Sequence, residues 1–144
     1  MRRIAFLVVV VGLTAPAWAL DYLSVAEAAA MYDAPSQKSQ PLFAIAAGTP
    51  VEAIVSLDAW VKVRDSKGDL AWIEKNKLSQ KRTVLVRTER ADVRVQADEK
   101  SALAFTAERD VVLEWLEPGP LGWARVKHRD GQTGFVKATQ VWGL

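Results

Sequence analysis

Two short strand-like stretches combine the side chains that could grip a ligand: Trp60, Lys62 and Arg64 in one, and Trp123, Arg125 and Lys127 in the other. Residues two apart along a strand share a face, so Val61 and Val63 oppose Trp60, Lys62 and Arg64. Ala124 and Val126 oppose Trp123, Arg125 and Lys127 in the same way. A large aromatic ring beside two cations can stack on the flat groups of a peptide or sugar while the cations meet carboxylates. The structural alternative is that a tryptophan leading a strand caps the open end of a small barrel.

Little else in the chain points to chemistry. There is no cysteine, which removes disulfides, thiolate metal sites and a cysteine nucleophile. His128 is the only histidine, flanked by Lys127 and Arg129, and one imidazole does not make a metal site. Asp130 beside it reads as a turn residue. No serine sits in a Gly-x-Ser-x-Gly elbow. Glu52 and Glu114 recur at matching places but read as a solvated strand face rather than an acid and base pair. Trp115, Trp142 and Phe43 lie among aliphatic neighbours and read as packing or inter-barrel contacts. The expectation is a protein that is not an enzyme and needs no metal or cofactor.

The elements that must position these residues come as two copies of one pattern. Trp60 to Ile73 and Trp123 to Val136 align at an offset of 63, pairing Lys62 with Arg125, Val63 with Val126, Arg64 with Lys127, Gly68 with Gly131 and Trp72 with Phe135. Upstream an offset of 62 pairs Phe43 with Phe105, Val51 with Leu113 and Glu52 with Glu114. One residue has therefore been inserted in the Pro118-Gly119-Pro120 loop, where a fold tolerates it. Each block reads as a β-hairpin turning at Lys67-Gly68 or Asp130-Gly131. Further strands are predicted at 42–46, 51–56, 84–88, 93–95, 103–107 and 111–117, and single helical turns at 75–78 and 138–141. Residues 24–31 stay open between helix, which the alanines favour, and strand. Such short, closely spaced strands predict an all-β chain of two small barrels rather than one sandwich.

Met31-Tyr32-Asp33-Ala34-Pro35, the Gly48 turn, Trp60-x-Lys-Val-Arg, Gly68 and Ala71-Trp72-Ile73, with their second-copy counterparts, resemble the bacterial SH3-like domains. The second copy departs from the pattern with Asp110 in place of Gly48 and Val93-Arg94-Val95 in place of Met31-Tyr32-Asp33. The resemblance implies two tandem, five-stranded, partly open barrels that bind cell-wall peptides or protein segments without catalysis. It also implies that Trp60 and Trp123 line a peptide groove, with Tyr32 and Trp72 beside them. On the residues alone, Trp72 and Phe135 read more readily as packing. The linker 79–83 is short and has neither glycine nor proline, so the barrels are expected to pack together as one rigid unit.

Residues 1–19 read as a cleaved secretory signal: Arg2 and Arg3, an apolar run, and Ala17-Trp18-Ala19 before the cut. The domains are then expected at 20–81 and 82–144. Cleavage removes two of the 19 basic residues and none of the 17 acidic ones, so the mature chain is neutral, which argues against nucleic acid as a partner. No later apolar stretch reaches spanning length. The reading is a periplasmic, or alternatively secreted, envelope protein recognising peptidoglycan peptides. An adaptor docking another envelope protein is the alternative.

Overall fold

The computed structural model describes residues 21–144; the expected signal segment, 1–19, lies outside them. The first repeat contains β1 (Asp21–Val25), β2 (Ala29–Tyr32), β3 (Pro41–Ile45), β4 (Pro50–Ser56), β5 (Trp60–Arg64), β6 (Leu70–Glu74) and β7 (Leu78–Ser79). The second contains β8 (Thr83–Val86), β9 (Arg90–Arg94), β10 (Leu103–Glu108), β11 (Val112–Pro118), β12 (Trp123–Lys127), β13 (Thr133–Lys137) and β14 (Val141–Trp142). A single 3₁₀ turn, Lys75–Lys77 or Ala138–Gln140, precedes the last strand of each repeat, close to where helical turns are expected.

The strand orders are β3-β2-β6-β5-β4-β1-β7 and β10-β9-β13-β12-β11-β8-β14, one topology used twice. All pairings are antiparallel, and the β4/β5 and β11/β12 pairs slip register at matching points. Neither sheet closes on itself, as a partly open barrel requires. Each sheet has seven strands where the resemblance implies five. Two of the extra ones, β7 and β14, are only two residues long. The segment left open between helix and strand is extended: β1 ends at Val25 and the chain bends into β2, because Leu23 pairs with Val51 of β4 and that long-range pairing outweighs the alanines' helical preference.

Alternation builds two separate cores. Val25, Met31, Val51, Val61, Val63, Ala71 and Ile73 fill the first; Val84, Val86, Val93, Leu113, Ala124, Val126 and Val136 fill the second. The turns at Gly68 and Gly131 have φ of 90° and 97°, a left-handed conformation that favours glycine. Gly134, opposite Ala71 in the alignment, is there for space: a Cβ on it would lie 2.7 Å from the Arg94 carbonyl oxygen.

The repeats pack against each other. Tyr22 of β1 meets Trp142 of β14 edge to face, with ring centroids 5.3 Å apart. The Arg82 guanidinium in the linker lies over both Tyr22 and Trp115, 5.4 and 4.8 Å from the ring centroids, and donates to the Gly143 carbonyl at 2.8 Å. The buried Thr83 hydroxyl donates to the Gly48 carbonyl at 2.7 Å. Trp142 and Trp115 therefore pack as expected, Trp115 also against the second core. Phe43 does not: it is 41% exposed, because β3 is the edge strand of its sheet.

Candidate functional site

In the first repeat, β2, β6 and β5 lie side by side and carry a single cross-strand row. Tyr32 is opposite Trp72, and Trp72 is opposite Lys62. All three are half-buried, on the face opposite Met31, Ala71, Val61 and Val63. Trp60 adds a fourth member, meeting Tyr32 edge to face with centroids 5.6 Å apart and planes at 83°. Four of the five candidates in this repeat thus share one aromatic surface with one cation. Val55 stands across β4 from Lys62, and no acid lies within 4 Å of Lys62 among the described residues. Glu74, opposite Trp60, accepts a hydrogen bond from the Gln37 side-chain amide, so the 33–40 loop is tied to the edge of this face.

Arg64 is the exception. Its Nη1 donates to Glu52 Oε2 at 3.2 Å, and the Glu52 side chain is only 6% exposed. Glu52 is therefore not on a solvated face: Pro50, Val51 and Glu52 are buried in succession, because β4 is flanked by β1 and β5 at this end and Pro50 faces Gly143 of the other repeat. A buried carboxylate needs its partner, so Arg64 serves the fold.

The second repeat keeps the backbone row and changes its occupants. Arg94 is opposite Phe135, and Phe135 opposite Arg125. Arg125 donates to Glu117 at 2.9 Å, Glu117 standing where the first repeat has Val55. Arg94 donates to the Ser101 carbonyl at 2.8 Å and lies 3.6 Å from Asp92. Lys137, opposite Trp123, pairs with Glu99, whose carboxyl it holds below the ordinary value by that hydrogen bond. Trp123 meets no other ring among the described residues. Lys127 is separated from this row and lines a cleft between the repeats.

That cleft, of about 670 Å³, lies between the Ala47-Gly48 and Asp110-Val111 turns and continues to Lys127, His128 and Arg129. His128 Nδ1 is 3.1 Å from Asp130 Oδ1. The Asp130 carboxyl is held below its ordinary value chiefly by the Gln132 backbone N–H, the turn role expected of it. No group of three or more potential metal ligands occurs among the described residues. No helix there is long and apolar enough to cross a membrane. The cleft went unread in sequence because its walls come from both repeats; the one signal was the replacement of Gly48 by Asp110.

Two small open sheets of identical topology, each with a half-exposed aromatic-leading face, define a tandem SH3-like protein. Residues 25–80 and 87–143 each match the family model of the bacterial SH3 domain, and the chain belongs to that family. No curated protein matches it. Among solved structures it is similar to NlpC2 from Trichomonas vaginalis, with a TM-score of 0.40, 12% identity, and coverage of 86% of this chain and 48% of that one. NlpC1 from the same organism gives 0.39, 12%, 94% and 50%. An NlpC/P60 family protein from Bacillus cereus gives 0.38, 15%, 84% and 55%. The chain spans about half the length of these structures.

Proposed function

We propose that the protein is a noncatalytic binding module of the bacterial envelope, exported to the periplasm, whose first repeat grips acidic cell-wall peptides. The observation that carries this reading is the Tyr32–Trp72–Lys62 row with Trp60 against Tyr32, half-exposed aromatics around a cation that no acid neutralises. Peptide planes stack on the rings, and Lys62 meets a carboxylate. The second face is a weaker site, since its arginines are already paired within the repeat.

Co-sedimentation of residues 20–144 with purified sacculi at two salt concentrations tests this. Retention that weakens with salt is expected, because exposed charge contacts are screened. Trp60→Ala should reduce retention about tenfold, as loss of a central aromatic contact does, and Trp123→Ala much less, with the circular dichroism spectrum unchanged in both. Absence of retention, with capture of a single stoichiometric envelope protein instead, would replace this reading with the adaptor one. Equal losses from both tryptophans would remove the assignment to the first repeat.

A further inference from the structure

The cleft between the repeats is lined by both copies of one turn, and they differ. Gly48 and Asp110 occupy equivalent positions with φ of 83° and 70°, so this turn demands the left-handed conformation in each repeat. Glycine meets that demand freely, whereas aspartate is merely among the side chains that tolerate it. A turn role alone does not account for Asp110, because glycine does the same work at position 48. What aspartate adds is a carboxylate at the cleft wall.

The other charges around the cleft sort into paired and unpaired groups. Lys81 lies 3.5 Å from Glu114, and His128 lies 3.1 Å from Asp130. Asp110, Lys127 and Arg129 have no ion-pair partner within 4 Å among the described residues. Lys127 stands across the strand pair from Glu114, as Arg64 does from Glu52, but Glu114 pairs with Lys81 of the linker and releases it. One free carboxylate and two free cations therefore face a cavity within the roughly 300–1,000 Å³ range of small-ligand sites. Gly48 on the other wall carries no side chain, and a Cβ built there would lie 3.6 Å from Val112 of the second repeat, so the two turns approach each other closely at this point.

We infer that this cleft is a second binding site, for a short peptide bearing one free ammonium group and two carboxylates. The ammonium pairs with Asp110 and the carboxylates with Lys127 and Arg129, a set of charge-assisted contacts that neither a polyanion nor a neutral sugar satisfies. The site extends the reading of the protein as a peptide-binding module and rests on it, but it uses none of the outer-face residues of the first repeat.

Isothermal titration calorimetry of residues 20–144 with the dipeptide Ala-Glu tests the inference, with N-acetyl-Ala-Glu and Ala-Gln as comparisons. Ala-Glu should bind, and acetylation should weaken it about tenfold, the effect of losing one charge-assisted contact. Asp110→Asn, which keeps a side chain suited to the turn, should produce the same loss. Asp110→Gly should also lose binding while leaving the melting temperature equal or higher, since Gly48 shows that the turn accepts glycine. Lys127→Gln should weaken Ala-Glu more than Ala-Gln. No measurable binding of Ala-Glu at millimolar concentration, or unchanged affinity in Asp110→Asn, would overturn the site. Dipeptide binding without sacculus retention would fault the outer-face reading and leave this one standing.

Discussion

Across the first repeat's outer face, Val55 stands opposite Lys62 and leaves it free; across the second's, Glu117 stands opposite Arg125 and pairs with it. Tyr32 becomes Arg94, which is bound to Ser101 and Asp92, and the Gln37–Glu74 contact becomes Glu99–Lys137. The strand order and the opposing core positions are retained throughout. In an antiparallel sheet the inward side chains determine whether the scaffold survives, and the outward ones are free to change. Duplication has used that freedom: one face carries aromatic rings and an unpaired cation, while the other spends its charges on itself. The matching glutamates reverse the pattern, since the buried Glu52 holds Arg64 and the half-buried Glu114 does not hold Lys127.

The largest expected effect comes from exchanging the core residues that differ. Gly134→Ala places a methyl group against backbone at Arg94 and should lower stability by about 3 kcal/mol in denaturant unfolding, the cost of overpacking where nothing can yield. The converse, Ala71→Gly, loses one methyl and some strand order, about 1–2 kcal/mol. Equal costs would mean that the two sheets have the same spacing at this point.

Next is the ion pair at the end of β4. Arg64→Ala strands the Glu52 carboxylate and should cost about 2 kcal/mol, below the range for a fully buried pair because the Arg64 side chain is 44% exposed. Lys127→Ala should stay within about 0.5 kcal/mol of wild type, as a surface substitution does. Thermal unfolding of the two variants checks this, and a cost at Lys127 matching that at Arg64 would break the contrast.

The smallest effect is electrostatic. A hydrogen bond from Lys77 holds the Glu27 carboxyl below 4.5, and Lys137 does the same for Glu99, so each repeat has one such surface pair. Their contribution is complete above 4.5 and fades as the pH falls through the lowered native values. Glu27 correspondingly holds Lys77 above 10.5, so that half of the contribution is complete below 10.5 and fades as the pH rises through the raised native value. A Glu27→Gln and Glu99→Gln double variant should show a slightly flatter decline in melting temperature as the pH falls from about 5 to about 3, as befits exposed pairs. An unchanged slope would remove both pairs from the acid response.

The duplication, the alternation that buries Val61, Val63, Ala124 and Val126, and the glycine turns were all legible in the chain, because each follows from local geometry with a fixed period or a fixed φ. Trp60 and Lys62 were legible as candidates for the same reason, whereas Tyr32 and Trp72 entered only through the family resemblance. Their assembly into one row depends on β2 pairing with β6, a contact across some forty positions that no local pattern records. Residue types and spacing by themselves determined two all-β repeats with an aromatic, basic outer side. Tertiary structure alone decided that Arg64 is held by a buried glutamate, that Arg82 lies over Tyr22 and Trp115 where the repeats meet, and that Asp110, Lys127 and Arg129 face one cleft. The physical reason is that burial and ion pairing depend on what covers a residue from elsewhere in the chain, whereas periodicity depends only on its neighbours in sequence.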